Sequence, residues 1–145
     1  MSIRPIAVVD IDELSQLYVD AFAEPPWNER WEIGWARDRL SSIMAMPGFV
    51  GFGEMLDGSL VSAAIGRTLP YKGRTDFDLM EFFVAPHCQA RGLGGRLLHC
   101  LESHLVEAGI GCTSLLTTRD SVPAKFYAKH GYRVHEHMGF MSKYL

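Results

Sequence analysis

The sequence predicts a mixed α/β fold, and three observations carry that expectation. Asp57-Gly58, the strongest short hairpin signal in the chain, separates two apolar runs at 49–56 and 59–67, which makes them antiparallel neighbours. The run "FDLMEFFV" at 77–84 passes through a glycine-rich turn into a leucine-striped stretch and then into "TSLLTT". Strand, helix and strand in that order form a βαβ unit. No repeat, low-complexity tract or linker interrupts the 145 residues, a length at which one domain buries a core without staples. Residues 1–145 are therefore expected to form a single domain.

The elements follow in order. Residues 3–8 read as a first strand. Asp10 with Glu13 makes a capping box for a helix whose apolar face is Ile11, Leu14, Leu17, Tyr18 and Ala21. Pro25 and Pro26 end that helix, because proline removes a donor and biases the residue before it away from helical geometry. A second helix is expected over 31–45, stopped by Pro47 and Gly48. The hairpin and the 77–84 strand come next. Leu93, Leu97, Leu98, Leu101 and Leu105 then stripe a helix to about residue 108. A strand at 113–118 and a helix at 122–130, closed by Gly131, lead to final strands near 132–137 and 140–143.

Composition narrows the function. A net charge of −3 leaves no basic field for nucleic acid or an anionic membrane. The opening "MSIRPIAVVD" lacks the features of a secretory signal, and no apolar run approaches bilayer length. A soluble cytoplasmic protein is expected. Cys88, Cys100 and Cys112 are odd in number and form no CxxC pair, so they read as reduced thiols and not as a zinc site. His135 and His137 have no third ligand in view, and no metal is expected.

The turn between the 77–84 strand and the leucine helix is Gln89, Ala90, Arg91, Gly92, Leu93, Gly94, Gly95 and Arg96. A helix entered through glycines leaves its first N–H groups unpaired where the macrodipole favours negative charge, and Arg91 or Arg96 adds charge. A phosphate suits such a place; a tight connection that merely needs glycine is the alternative. The dinucleotide fingerprint fails, because Leu97 stands where its third glycine belongs, and no Gly-Lys-Ser/Thr of a Walker loop occurs.

Gln89-x-x-Gly92-x-Gly94 resembles the acetyl-CoA-binding signature of the GCN5-related N-acetyltransferase (GNAT) family. "EFFVAP" before it resembles the central strand of that family, and "PAKFYAKHGYRV" after it resembles the later helix. The resemblance implies a mixed central sheet of about seven strands with helices on both faces. It also implies acetyl-CoA as cofactor, its pyrophosphate in the glycine turn. Backbone amides around Phe82, Phe83 and Val84 are then expected to polarise the acetyl carbonyl. Tyr127 is expected to protonate the departing thiolate, with Phe126 beside the cofactor. Ser121 stands where the family often has an asparagine that contacts the pantetheine arm.

Glu81 lies one step from those residues in an apolar strand. Burial raises a carboxylate's pKa towards values useful for removing an amine proton. Solvent exposure or a structural pairing with an arginine is the alternative, just as core packing is for Tyr127. On the acceptor side, Trp27, Trp31 and Trp35 recur every four residues, which would stack them along one helical face. Glu29 and Glu32 beside Trp27 and Trp31 form a rim suited to an ammonium group. The expected activity is acetyl transfer to a primary amine, chiefly a small cationic metabolite. A peptide or protein amine, or an acyl-CoA-sensing module without turnover, is the alternative. The late strands also suggest a homodimer.

Overall fold

The computed structural model describes residues 2–145. Its strands are β1 (Ser2–Pro5), β2 (Phe49–Leu56), β3 (Ser59–Tyr71), β4 (Arg74–Val84) and β5 (Cys112–Ser114). Its helices are α1 (Ile11–Ala23), α2 (Ile33–Met44), α3 (Leu93–Glu107) and α4 (Val122–Lys129). The strands form one sheet in the order β1-β2-β3-β4-β5, antiparallel throughout except where β5 joins β4 in parallel. The hairpin stands where Asp57-Gly58 puts it, with both residues at positive φ, 50° and 80°. That is the conformation an inward-twisting two-residue turn requires.

Each face of the sheet buries its own core. On one face Leu14, Leu17, Tyr18 and Phe22 of α1 and Ala36, Leu40 and Ile43 of α2 pack on Leu60, Ala63, Ile65 and Phe83. On the other, Leu97, Leu98, Leu101 and Leu105 of α3 pack on Phe52, Ala64, Phe77 and Leu79. Each leucine, isoleucine or phenylalanine among them contributes about 1.5–3 kcal/mol when taken from water. The leucine stripe is thus one helical face laid against the sheet.

Five strands stand in place of about seven. Residues 132–137 and 140–143, expected as closing strands, are irregular, and Val134, Met138, Phe140, Met141 and Tyr144 are exposed. Alternation selects a face for a strand but does not supply an edge to pair with. β5 stops at Ser114 instead of residue 118. The first strand stops at Pro5, and Val8–Asp10 makes a single 3-10 turn instead.

The capping box does not form either. Asp10 accepts from the Ala7 N–H at 2.8 Å and pairs with Arg4 at 2.8 Å, closing the 3-10 turn, while Glu13 accepts from the Leu60 N–H at 2.6 Å and ties α1 to the hairpin. The second helix begins at Ile33, so Trp27 and Trp31 precede it and Trp35 lies exposed. The three tryptophans share no helical face.

Candidate active site

One extra residue in β4 builds the site. Ile65 pairs with Glu81 and Gly66 with Leu79, which leaves Met80 opposite nothing. A bulge of this kind bends its strand, increases its twist and reverses the faces of all that follows. Phe77 and Leu79 therefore sit in the α3 core, whereas Glu81 and Phe83 sit in the α1–α2 core. Gly66 is required there by close approach: a Cβ on it would fall on the carbonyl oxygen of Asp78.

Immediately before the bulge, β4 loses its other neighbour. Its parallel pairing with β5 is three residues long and ends at Asp78 and Ser114. Beyond that point residues 79–84 run on with no strand on that edge among the described residues. A cavity of about 130 Å³ occupies the opening. Met80, Glu81 and Phe82 line it from β4, Leu116 and Thr117 from the segment after β5, Pro123 and Tyr127 from α4, and Phe22 and Trp27 from the acceptor side. Four residues expected at the site, Glu81, Phe82, Tyr127 and Trp27, thus meet around one space.

The glycine turn leads away from this opening. Pro86–Cys88 forms a 3-10 turn, Ala90 has φ 60°, and Gly92, the residue before α3, has φ 79°. Gly92 has no side chain to cap with, so the first amides of α3 have no capping partner. Nothing lies within 4 Å of where a Gly92 Cβ would stand, whereas one on Gly94 would touch the Phe126 ring at 3.4 Å and one on Gly95 the His130 ring at 3.2 Å. Gly92 keeps an open mouth; Gly94 and Gly95 admit α4. Gln89 donates to the Val84 carbonyl at 3.1 Å and pins the turn to the end of β4. Leu93 is buried and Arg91 exposed. Arg96, expected beside the phosphate, places its Nε 2.9 Å from Glu54.

Glu81 is 7% exposed. Its Oε1 accepts from Arg39 Nε of α2 at 2.5 Å and from the Tyr18 hydroxyl of α1 at 3.3 Å. Burial pushes its carboxyl above the usual range, against the opposing bond and charge of Arg39 and the bond from Tyr18, while the negative charge of Glu29 adds to the rise. Glu81 thus has the structural pairing with an arginine, and it also has the burial and raised pKa expected of a base. Tyr18 and Arg39 were not legible as site residues. Tyr18 reads as core on the α1 stripe, and Arg39 is one of many charges on a helix.

Burial likewise holds the Tyr127 hydroxyl above its ordinary pKa, so the phenol keeps its proton. Its ring packs edge-on to Phe82 at 6.2 Å and to Phe126 at 5.3 Å, and its hydroxyl has no hydrogen-bond partner among the described residues. Phe126 in turn lies 5.6 Å from Phe82. The Ser121 hydroxyl donates to the Thr118 carbonyl at 2.6 Å and accepts from the Ala124 N–H at 3.1 Å. Its oxygen caps α4 and its single proton is given to the Thr118 carbonyl.

The acceptor residues divide. Trp27 lines the cavity and packs on Phe22 at 5.1 Å. Trp31 packs on Tyr18 at 4.9 Å and donates to Glu29 at 3.3 Å. Glu32 is the exposed residue before α2, away from the cavity. Among the described residues no cluster of three His, Cys, Asp or Glu side chains is placed to hold a metal, and no helix is long and apolar enough to cross a membrane.

Solved structures share this architecture along its full length. A transcriptional regulator of Bacillus halodurans superposes with TM-score 0.77 at 16% identity, covering 99% of both chains. An aminoglycoside acetyltransferase from an uncultured soil metagenomic sample superposes with TM-score 0.77 at 17% identity, covering 99% of this chain and 95% of its own. In sequence, 64 residues are 34% identical to the uncharacterised N-acetyltransferase YhfO of Bacillus subtilis, a match that spans 43% of this chain and 42% of that relative. Residues 48–134, from the start of β2 to the irregular segment just after α4, match the acetyltransferase (GNAT) domain family. The chain belongs to the GNAT family of acetyltransferases.

Proposed function

We propose that the protein transfers acetyl from acetyl-CoA to the primary amine of a small molecule in the opening between β4 and β5. The observation that carries this reading is the convergence of Glu81 and Tyr127 on one cavity beside the uncapped start of α3. Bound there, acetyl-CoA supplies the acyl group as a thioester. The amides at the start of α3 and the exposed Arg91 suit its pyrophosphate, and Phe126 and the backbone of Phe82–Val84 suit its arm and carbonyl. Ser121 and Arg96 take structural roles instead.

Glu81 removes a proton from the incoming ammonium, so the nitrogen keeps the electron pair with which it attacks. Tyr127 gives its proton to the departing sulfur and regains one from the second N–H of the tetrahedral adduct. Overall, ammonium and thioester become amide, thiol and one proton. A phenol of raised pKa is a weak acid, but a thiolate leaving into the same dry space is a stronger base as well, so the two effects of burial offset each other. A small amine is supported by the size of the cavity, by the Trp27 and Phe22 walls and by the aminoglycoside acetyltransferase among the structural neighbours.

The test is release of free thiol from acetyl-CoA over a panel of amines, for wild type and Tyr127→Phe. Phenylalanine keeps the ring contacts and removes only the proton, so kcat should fall about 10²–10⁴-fold with coenzyme A affinity little changed. Equal turnover in the two proteins would show that Tyr127 is a packing residue. Coenzyme A binding with no turnover on any amine would favour a sensing module.

A further inference from the structure

We propose that Arg39, assisted by Tyr18, is a positioning residue that grips Glu81 by one oxygen, presents the other to the acceptor amine and sets the pH at which the base becomes active. The proposal rests on the reading of Glu81 as the base. Both helices deliver their donors to the same atom: Arg39 Nε and Tyr18 Oη bond Oε1, and no described residue donates to Oε2. A carboxylate held this way cannot spin about its terminal torsion without breaking both bonds, so Oε2 keeps one direction.

Proton transfer then has a defined course. An N–H bond of the acceptor ammonium breaks, its electron pair stays on nitrogen, and an Oε2–H bond forms; the proton leaves to solvent once the amide has formed. The groups that bear on Glu81 electrostatically are few. They are Tyr18 from α1, Arg39 from α2, Glu29 from the segment between those helices and Tyr127 from α4; opposite on β3 stands Ile65, which carries no charge. Arg39 is the only cation among them. It keeps the buried carboxyl from rising as far as burial alone would take it, and its own side chain is 46% exposed, so replacing it need not open a core.

A positioning role and a merely structural one differ in their pH signature. Loss of Arg39 removes the one interaction that strongly favours the ionised carboxylate, so the pKa of Glu81 rises further and the acidic limb of kcat/KM moves to higher pH. An adjacent guanidinium lowers a carboxylate pKa by about 1–3 units, so Arg39→Gln should move the limb upward by that amount and, with Oε2 no longer held in one direction, leave the high-pH plateau below that of wild type. Arg39→Lys keeps the charge without the planar fork and should move it less. Tyr18→Phe removes a single weaker bond and should give a small upward shift.

The experiment is the pH profile of kcat/KM on one good amine for wild type, Arg39→Gln, Arg39→Lys, Tyr18→Phe and Glu81→Gln, each checked by thermal melting. Loss of the limb in Glu81→Gln with an upward shift in Arg39→Gln supports the proposal. Loss of the limb in Glu81→Gln with Arg39→Gln depressed equally at every pH overturns it and leaves the base in place. An unchanged limb in Glu81→Gln overturns the base reading, and the positioning role falls with it.

Discussion

Arg96 sits in the first turn of α3, yet its guanidinium is held by Glu54, a side chain on β2 with 0% exposure. The Arg96 side chain is 47% exposed, so losing it would strip a fully buried carboxylate of a cation that reaches it from the surface. The pair therefore anchors the helix start to the sheet, and the charge facing the mouth of the turn is left to Arg91 and the backbone. Glu54 and Arg96 are 42 residues apart, so no local pattern announces them; the glycines around Arg96 were legible because a turn must be made locally. Gly92 offers the clean probe of the mouth. Asn and Asp both tolerate positive φ, and a side chain at Gly92 meets open space, so Gly92→Asn and Gly92→Asp should both fold. They share a shape and differ by one negative charge. Calorimetry should find coenzyme A bound about tenfold or more weakly by the Asp variant than by the Asn variant, since a like charge a few ångströms away costs about 1–4 kcal/mol. Equal affinities would remove the pyrophosphate from this turn.

At the scale of elements, the strands and helices with strong periodicity or turn chemistry were legible: the hairpin at Asp57-Gly58, the leucine helix α3 and the strand before it. The bulge at Met80 was not. An extra residue in a continuous apolar run changes no composition, and its sign in the sequence is only that Glu81 stands where alternation from Phe77 and Leu79 calls for another apolar residue. The closing strands failed for the converse reason, as alternation was present without an edge to join. Gly66 connects the bulge to function. Gly66→Ala drives a methyl into the Asp78 carbonyl at the point where β4 bends, so it should destabilise the fold by about 1–3 kcal/mol in urea unfolding and lower kcat by misplacing Glu81. Gly34, in α2 with nothing within 4 Å, is the control, where alanine should be neutral or stabilising. If Gly66→Ala matches Gly34→Ala in stability and rate, the close approach does not shape the site.

In the molecule as a whole, one sheet buries a core on each face and opens one gap at its β4 edge. The bulge sends Glu81 to the α1–α2 face, where Arg39 and Tyr18 hold it, and leaves Phe82 on the other, where Phe126 and Tyr127 of α4 close over the cavity. Ordered motifs along the chain pointed to β4, the turn and α4, and the fold brings residues of β4 and α4 together around one cavity. The partners from α1 and α2 emerge only when the chain is folded, because they come from 63 and 42 residues away. The most direct measurement of this claim is the change in backbone amide NMR signals as coenzyme A is added. The largest changes should fall on Phe82–Val84, on Gly92–Arg96 and on α4 around Tyr127, with α1 near Glu13 and Asp20 little affected. Changes centred on Glu13, Asp20 and His87, which line a separate pocket, with β4 and the start of α3 unmoved, would contradict the account.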